Sequence, residues 1–228
     1  KKDEPISTSQ PSPADLCDLW DKLLRDYEEI VHIPMSSGLS ASCSTAMGLA
    51  IDYNGRVQVV DNQRISVTQR QSVMDAKMLA EAGKSAAEIT AALEEVRPKV
   101  RASFVVDTLM YLYRGGRCNA VAAMAGSVLK LHPKIVVENG AMDAAKKYRG
   151  KLHSVVMSYV RDMEADLKNA RPERVFITHS GCDRKIVEDV QAYLQSLGIF
   201  QEILETRAGG VVSSHCGPGT LGVLFIAK

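Results

Sequence analysis

Apolar positions along the chain switch repeatedly between a spacing of three to four and short continuous runs. That pattern predicts helices alternating with buried strands. Pro13 and Asp15 open a helix in which Leu16, Leu19, Trp20, Leu23 and Leu24 share one face. "EIVHIP", ended by Pro34, predicts a strand, and "ASCSTAMGLAI" predicts a helix starting at Ser40. "RVQVVD" and "SFVVD" predict two more buried strands, each ending in an aspartate, Asp61 and Asp107. Two helices lie between them. The second begins with Ser85 and Glu88, the spacing of a capping box, and ends at Pro98.

The pattern then changes. "TLMYLYRGGRC" reads as a helix broken by Gly115 and Gly116. After the loop "KKYRGK", Leu152, Val155, Val156, Tyr159, Val160, Met163 and Leu167 form the stripe of one long helix. "RVFITHS", "FQEILET" and "GVLFIAK" predict strands, with a helix from about Asp183 to Leu197. Alternation of this kind defines an α/β protein. The expected division is an N-terminal lobe, 1–113, with a three-stranded parallel sheet, and a C-terminal lobe, 114–228, with a mixed sheet. In parallel sheets ligands gather beyond the carboxyl ends of the strands, where Ser36–Ser40 lies. Asp61 and Asp107 share that position, but as turn formers or caps they have a simpler role.

Composition narrows the function. Hydrophobic residues make up 46% and charged residues 24%, with a formal net charge of +1. This balance gives no electrostatic case for nucleic acid or an anionic membrane. Apolar runs are too short to span a bilayer, so membrane contact is expected to be transient at most. Cys17, Cys43, Cys118, Cys182 and Cys216 are odd in number and scattered. They read as free thiols in a reducing, cytoplasmic setting. His179 with Cys182 and His215 with Cys216 lack a partner pair at zinc spacing, so no metal is expected.

Gly217, Gly219 and Gly222 spell a dinucleotide fingerprint, but a strand-like run follows where a helix is required. The nucleotide reading fails on that context. His215 then stands before a Gly-Pro-Gly turn, either as a satisfied core histidine or as a ligand group. Thr8, Ser9 and Ser12 put hydroxyls in a proline-held loop, which is either a plain turn or a donor cluster. Ser40 reads as an N-cap, and the same loop is able to bind an anion. Arg117 and Arg149, in loops beside glycines, are surface charges or contacts to a phosphate or carboxylate. Ser40 with His215 also defines a rival reading, a Ser/His hydrolase of small esters or lipids. The nucleophile elbow that would support it is absent from the sequence.

Five segments, "TSQPS", "SSGLS", "DTLMYLYRGGR", "KYRGK" and "HCGPGTLG", together resemble the DegV family in order and approximate spacing, over nearly the whole chain. These are bacterial fatty-acid-binding proteins, some of which are the lipid-presenting subunit of a fatty-acid kinase in phospholipid metabolism. The resemblance implies a two-lobed α/β fold with the acyl chain in a buried tunnel. It implies a fatty-acid ligand, no further cofactor and no catalytic residue. Thr8, Ser40 and His215 would hold the carboxylate. Arg117 and Arg149 would face the acyl-phosphate and an ATP-binding kinase subunit, since a Walker loop is missing here. The chemistry of the residues agrees. Two hydroxyls, an imidazole and helix-start amides supply donors to a carboxylate. An apolar tunnel rewards each buried methylene by about 0.8 kcal/mol.

The chain departs from the family pattern at Ala41 and Ser42, where "SSxLSGT" is usual. The family also begins with a strand that these residues do not contain. The N-terminal lobe is therefore expected to lack its first strand and helix, the chain being the larger part of a longer polypeptide.

Overall fold

The computed structural model describes residues 6–117 and 131–228. Cys118, one of the expected free thiols, lies outside them. The chain divides into two compact units, Ser9–Pro98 and Lys99–Lys228, the second taking in the segment that ends at Thr8.

In the first unit, α1 (Pro13–Leu23) starts as the sequence predicts. Ser12 Oγ accepts the Asp15 N–H at 3.1 Å, and Pro13 takes the first helical position, where no N–H is needed. Its inner face buries Leu16 and Trp20 against Ala46 and Val57. Trp20 meets the rings of His32 and Tyr53 edge-on, at centroid distances of 5.4 and 5.3 Å. β1 (Ile30–His32) pairs parallel with β2 (Val57–Val59), Ile30 opposite Val57. Between them lies α2 (Ser42–Ala50), and after them α3 (Val67–Glu81) and α4 (Ala86–Val96). The capping box of α4 is formed in full: Ser85 Oγ accepts the Glu88 N–H, and the Glu88 carboxylate accepts the Ser85 N–H at 2.9 Å. Val60, Ala76, Ile89 and Leu93 make a second small core.

This sheet has two strands, not three. The third expected member, β3 (Val100–Val105), belongs to the second unit. There it runs between two antiparallel neighbours, so its apolar sequence reflects a central position in a different sheet. The boundary accordingly falls after Pro98 and not after residue 113.

The second unit contains a six-stranded sheet. Its strands are β3, β4 (Leu131–Glu138), β5 (Ala141–Arg149), β6 (Arg174–Ser180), β7 (Glu202–Arg207) and β8 (Thr220–Ile226), ordered β5-β4-β3-β8-β6-β7. β6 and β7 are parallel, and the other pairs are antiparallel. The expected mixed sheet is thus present. α5 (Met110–Gly115) ends at Gly116, whose φ of 64° is left-handed. The predicted long helix is two: α6 (Leu152–Asp162) stops at Met163, whose backbone leaves the helical region, and α7 (Glu164–Lys168) resumes. The stripe still works, because Val155, Val156, Tyr159, Val160, Met163 and Leu167 are all buried. With Ile186, Val187, Val190 and Leu194 of α8 (Arg184–Ser196) they form the main core over β3, β6 and β8. "KKYRGK" is only in part a loop, because Lys146–Arg149 complete β5. A last short helix, α9 (Gly210–Cys216), leads into β8.

Candidate carboxylate-binding site at His215

α9 was not legible as a helix, yet it carries the residue of most interest. Its last turn presents His215, and the chain leaves through Gly217 and Gly219, both at φ 77°. The turn is tied down at two points. Gly219 N–H donates to Ser180 O at 2.8 Å, and Thr220 Oγ1 donates to Cys216 O at 2.8 Å. His215 therefore sits at the edge of the sheet's centre, where β8 begins.

His215 Nε2 lies 2.8 Å from Thr8 Oγ1, across 207 positions of sequence. Two of the three residues expected at one polar spot are thus brought together. Nδ1 is buried and has no hydrogen-bond partner among the described residues. Burial holds the imidazole below its ordinary pKa, and the Arg117 guanidinium adds to the effect. The ring is therefore neutral near pH 7. Arg117 itself is exposed and donates to Gly115 O at 2.7 Å. Its position in a loop agrees with expectation, and its charge is felt at His215. Arg149 is not a loop residue: it is the exposed last residue of β5, opposite Leu131.

Ser40 belongs to the other unit. The structure moves the start of α2 by one position, so that Ala41 is the N-cap and supplies no side chain. Ser40 Oγ nevertheless accepts the Ser42 N–H at 3.2 Å and shares a 2.8 Å hydrogen bond with Ser42 Oγ. Its loop is a tight turn, in which the N–H groups of Leu39 and Ser40 donate to Ser36 O. Asp61 closes the turn. It accepts from Ser37 N–H at 3.2 Å, Ser37 Oγ at 2.5 Å and Gln63 N–H at 3.0 Å. The simpler role for that aspartate, as a turn former, is the observed one. Burial, with Asp61 nearby, pushes the Cys43 thiol up to about 11.

A nucleophilic triad needs a base on the serine and an acid on the histidine. Ser40 is bonded to Ser42, His215 to Thr8, and no carboxylate reaches His215 Nδ1 among the described residues. The other histidine–cysteine pairing is structural. His179 Nδ1 accepts the Cys182 N–H at 3.3 Å, and Nε2 faces Glu205 at 3.3 Å. Among the described residues no group of His, Cys, Asp and Glu is arranged to hold a metal ion, and no helix is long and apolar enough to cross a membrane.

A two-unit α/β protein with a neutral histidine and a threonine hydroxyl meeting at a glycine-rich turn is the class that fold and site define. Comparison with known proteins gives it a family. The family model described as "uncharacterised protein, DegV family" matches residues 1–228. A DegV domain-containing protein from Deinococcus radiodurans is 33% identical over 219 residues, covering 95% of this chain and 76% of that protein. The chain belongs to the DegV family. Solved structures agree. One, on fatty-acid binding by a DegV family protein from Thermus thermophilus, matches with a TM-score of 0.88 at 31% identity, over 97% of this chain and 79% of that one. Another, of DegV from Bacillus subtilis, a fatty-acid-binding protein, has a TM-score of 0.80 at 27% identity, over 97% and 79%.

Proposed function

We propose that this protein binds a long-chain fatty acid and presents its carboxylate to a partner, without itself being an enzyme. One observation carries the reading: a half-buried, neutral His215 meets the Thr8 hydroxyl through Nε2 at 2.8 Å, so an imidazole nitrogen and a hydroxyl share one polar spot. A carboxylate arriving there gains a hydroxyl and an imidazole as donors, and the imidazole becomes easier to protonate. Ser40 is the third proposed donor, on family likeness alone. The fatty-acid binding described for the Thermus thermophilus and Bacillus subtilis proteins supports the ligand class.

Mass spectrometry of the denatured, purified protein tests the proposal directly. A co-purified long-chain fatty acid in near-stoichiometric amount is the expected result. Ester turnover by a protein that carries no lipid and binds none would point to the hydrolase instead.

The proposed partner is the ATP-binding subunit of a fatty-acid kinase, in the cytoplasm. Phosphoryl transfer needs cations near developing charge, and this chain supplies no ATP loop of its own. Arg117 and Arg149 are both exposed and fit that role. Arg149→Ala, and to a smaller degree Arg117→Ala, is expected to leave the fatty acid bound while cutting acyl-phosphate formation about tenfold or more, as loss of a charge-assisted contact implies. Oleate binding and coupled transfer, measured on the same preparations, check this. A transfer defect that merely tracks lost lipid would contradict the division of labour.

A further inference from the structure

α5 and the end of α9 fit together by a reciprocal exchange of ring and glycine. At one contact the imidazole of His215 lies on Gly115. A Cβ added there would overlap Nδ1 and stand 3.2 Å from both Cγ and Cε1. At the other, the ring of Tyr111 lies on Gly217, where an added Cβ would be 2.7 Å from Cε2 and 2.8 Å from Cγ. Tyr111 and Gly115 are four residues apart, so they share one face of α5. His215 and Gly217 are two apart at the α9 terminus. Each helix thus places a ring where the other has no side chain.

The two glycines differ in what they require. Gly217 has φ 77°, so a side chain is strained there whatever the space. Gly115 is the last residue of α5, and its φ is not positive. Alanine suits that backbone and would ordinarily favour a helix over glycine. The imidazole is what stands against a side chain at 115. The same residue also holds Arg117, whose guanidinium donates to Gly115 O.

We infer that Gly115 is a positioning residue for His215: its lack of a side chain leaves the imidazole its seat against Thr8, and a side chain at 115 would displace it. The role goes beyond the binding reading and rests on it for its functional consequence. Its geometry does not depend on that reading.

A double-mutant cycle of wild type, Gly115→Ala, His215→Ala and the double variant tests the idea. Three properties are read: thermal midpoint, the NMR titration of His215, and oleate affinity by calorimetry. Gly115→Ala alone is expected to lower the thermal midpoint, to return the His215 titration toward the ordinary value as the ring leaves its half-buried seat, and to weaken oleate binding at least fivefold. In the His215→Ala background the same change is expected to leave the midpoint level or raise it, with no further loss of affinity. Equal destabilisation in both backgrounds would overturn the inference, because the glycine would then serve the backbone alone. So would a Gly115→Ala protein with an unshifted His215 titration. If Gly115→Ala fails to fold, a folded double variant supports the inference and an unfolded one refutes it. If even the wild type binds no oleate, the fatty-acid reading falls, while midpoint and titration still decide the positioning role.

Discussion

Replacing His215 by alanine is expected to weaken fatty-acid binding about ten- to a hundredfold and to leave the fold nearly intact. The magnitude follows from the loss of one hydrogen bond to a charged group, roughly 1.5–3 kcal/mol. Folding is expected to suffer little, because the ring is only half-buried and its one described side-chain partner is the Thr8 hydroxyl. Thr8→Val should be milder, since the imidazole remains. Calorimetric titration with oleate checks both, and an affinity within twofold of wild type in His215→Ala would remove His215 from the site. A second signature is pH dependence. The folded-state pKa of His215 lies below the ordinary 6.5, so the unfolded chain takes up a proton first as pH falls. The native ring therefore disfavours the folded state increasingly from about pH 6.5 down to its own pKa. The stability of wild type relative to His215→Ala should fall across that window and be constant above it.

Much of the molecule was readable from local pattern. The opening of α1 at Pro13 and the α4 capping box are local chemistry, and both form as read; the cap that Ser12 supplies to α1, three residues before Asp15, is equally local. The failures are non-local. Nothing in "SFVVD" says whether its partners lie before or after it. Its neighbours β4 and β8 come later in the chain, and β8 ends two residues before Lys228. The β4–β5 hairpin does carry a local signal. Asn139-Gly140, at φ 48° and 82°, is the two-residue turn that matches strand twist. Lys146, Lys147 and Arg149 made the strand after it look like a loop, although an edge strand tolerates such charges. In α9, a start at Gly210 followed by two valines gave no helical period, so tertiary packing decides that element. Thr8 and His215 were named by family likeness, and no spacing rule joins residues 207 apart. In one dimension Gly115 reads only as a helix breaker, because the His215 ring that lies on it is a hundred residues away in sequence.

Tyr159→Phe is expected to destabilise the second unit by about 2–4 kcal/mol, since it strands buried polar groups that cost roughly 1–3 kcal/mol each. Tyr159 is fully buried on α6, and its hydroxyl stands between two central strands. It accepts the Val223 N–H of β8 at 3.0 Å and donates to Ser103 O of β3 at 2.8 Å, with Ser103 Oγ also 3.0 Å away. Burial pushes the phenol up to about 12, so it keeps its proton at any working pH and remains a donor. Phenylalanine keeps the ring and its packing but withdraws the bridge at a fully buried position. The helix then loses its polar tie to the sheet at β8, the strand that follows the His215 turn. Urea unfolding gives the measurement: the midpoint should drop with the slope unchanged. Ser103→Ala should cost less, because the Ser103 carbonyl and the Tyr159 hydroxyl both survive. Oleate affinity of the folded Tyr159→Phe protein should stay close to wild type, which separates this tie from the binding group at His215. A loss below about 0.5 kcal/mol would show that the strands satisfy those groups without the tyrosine.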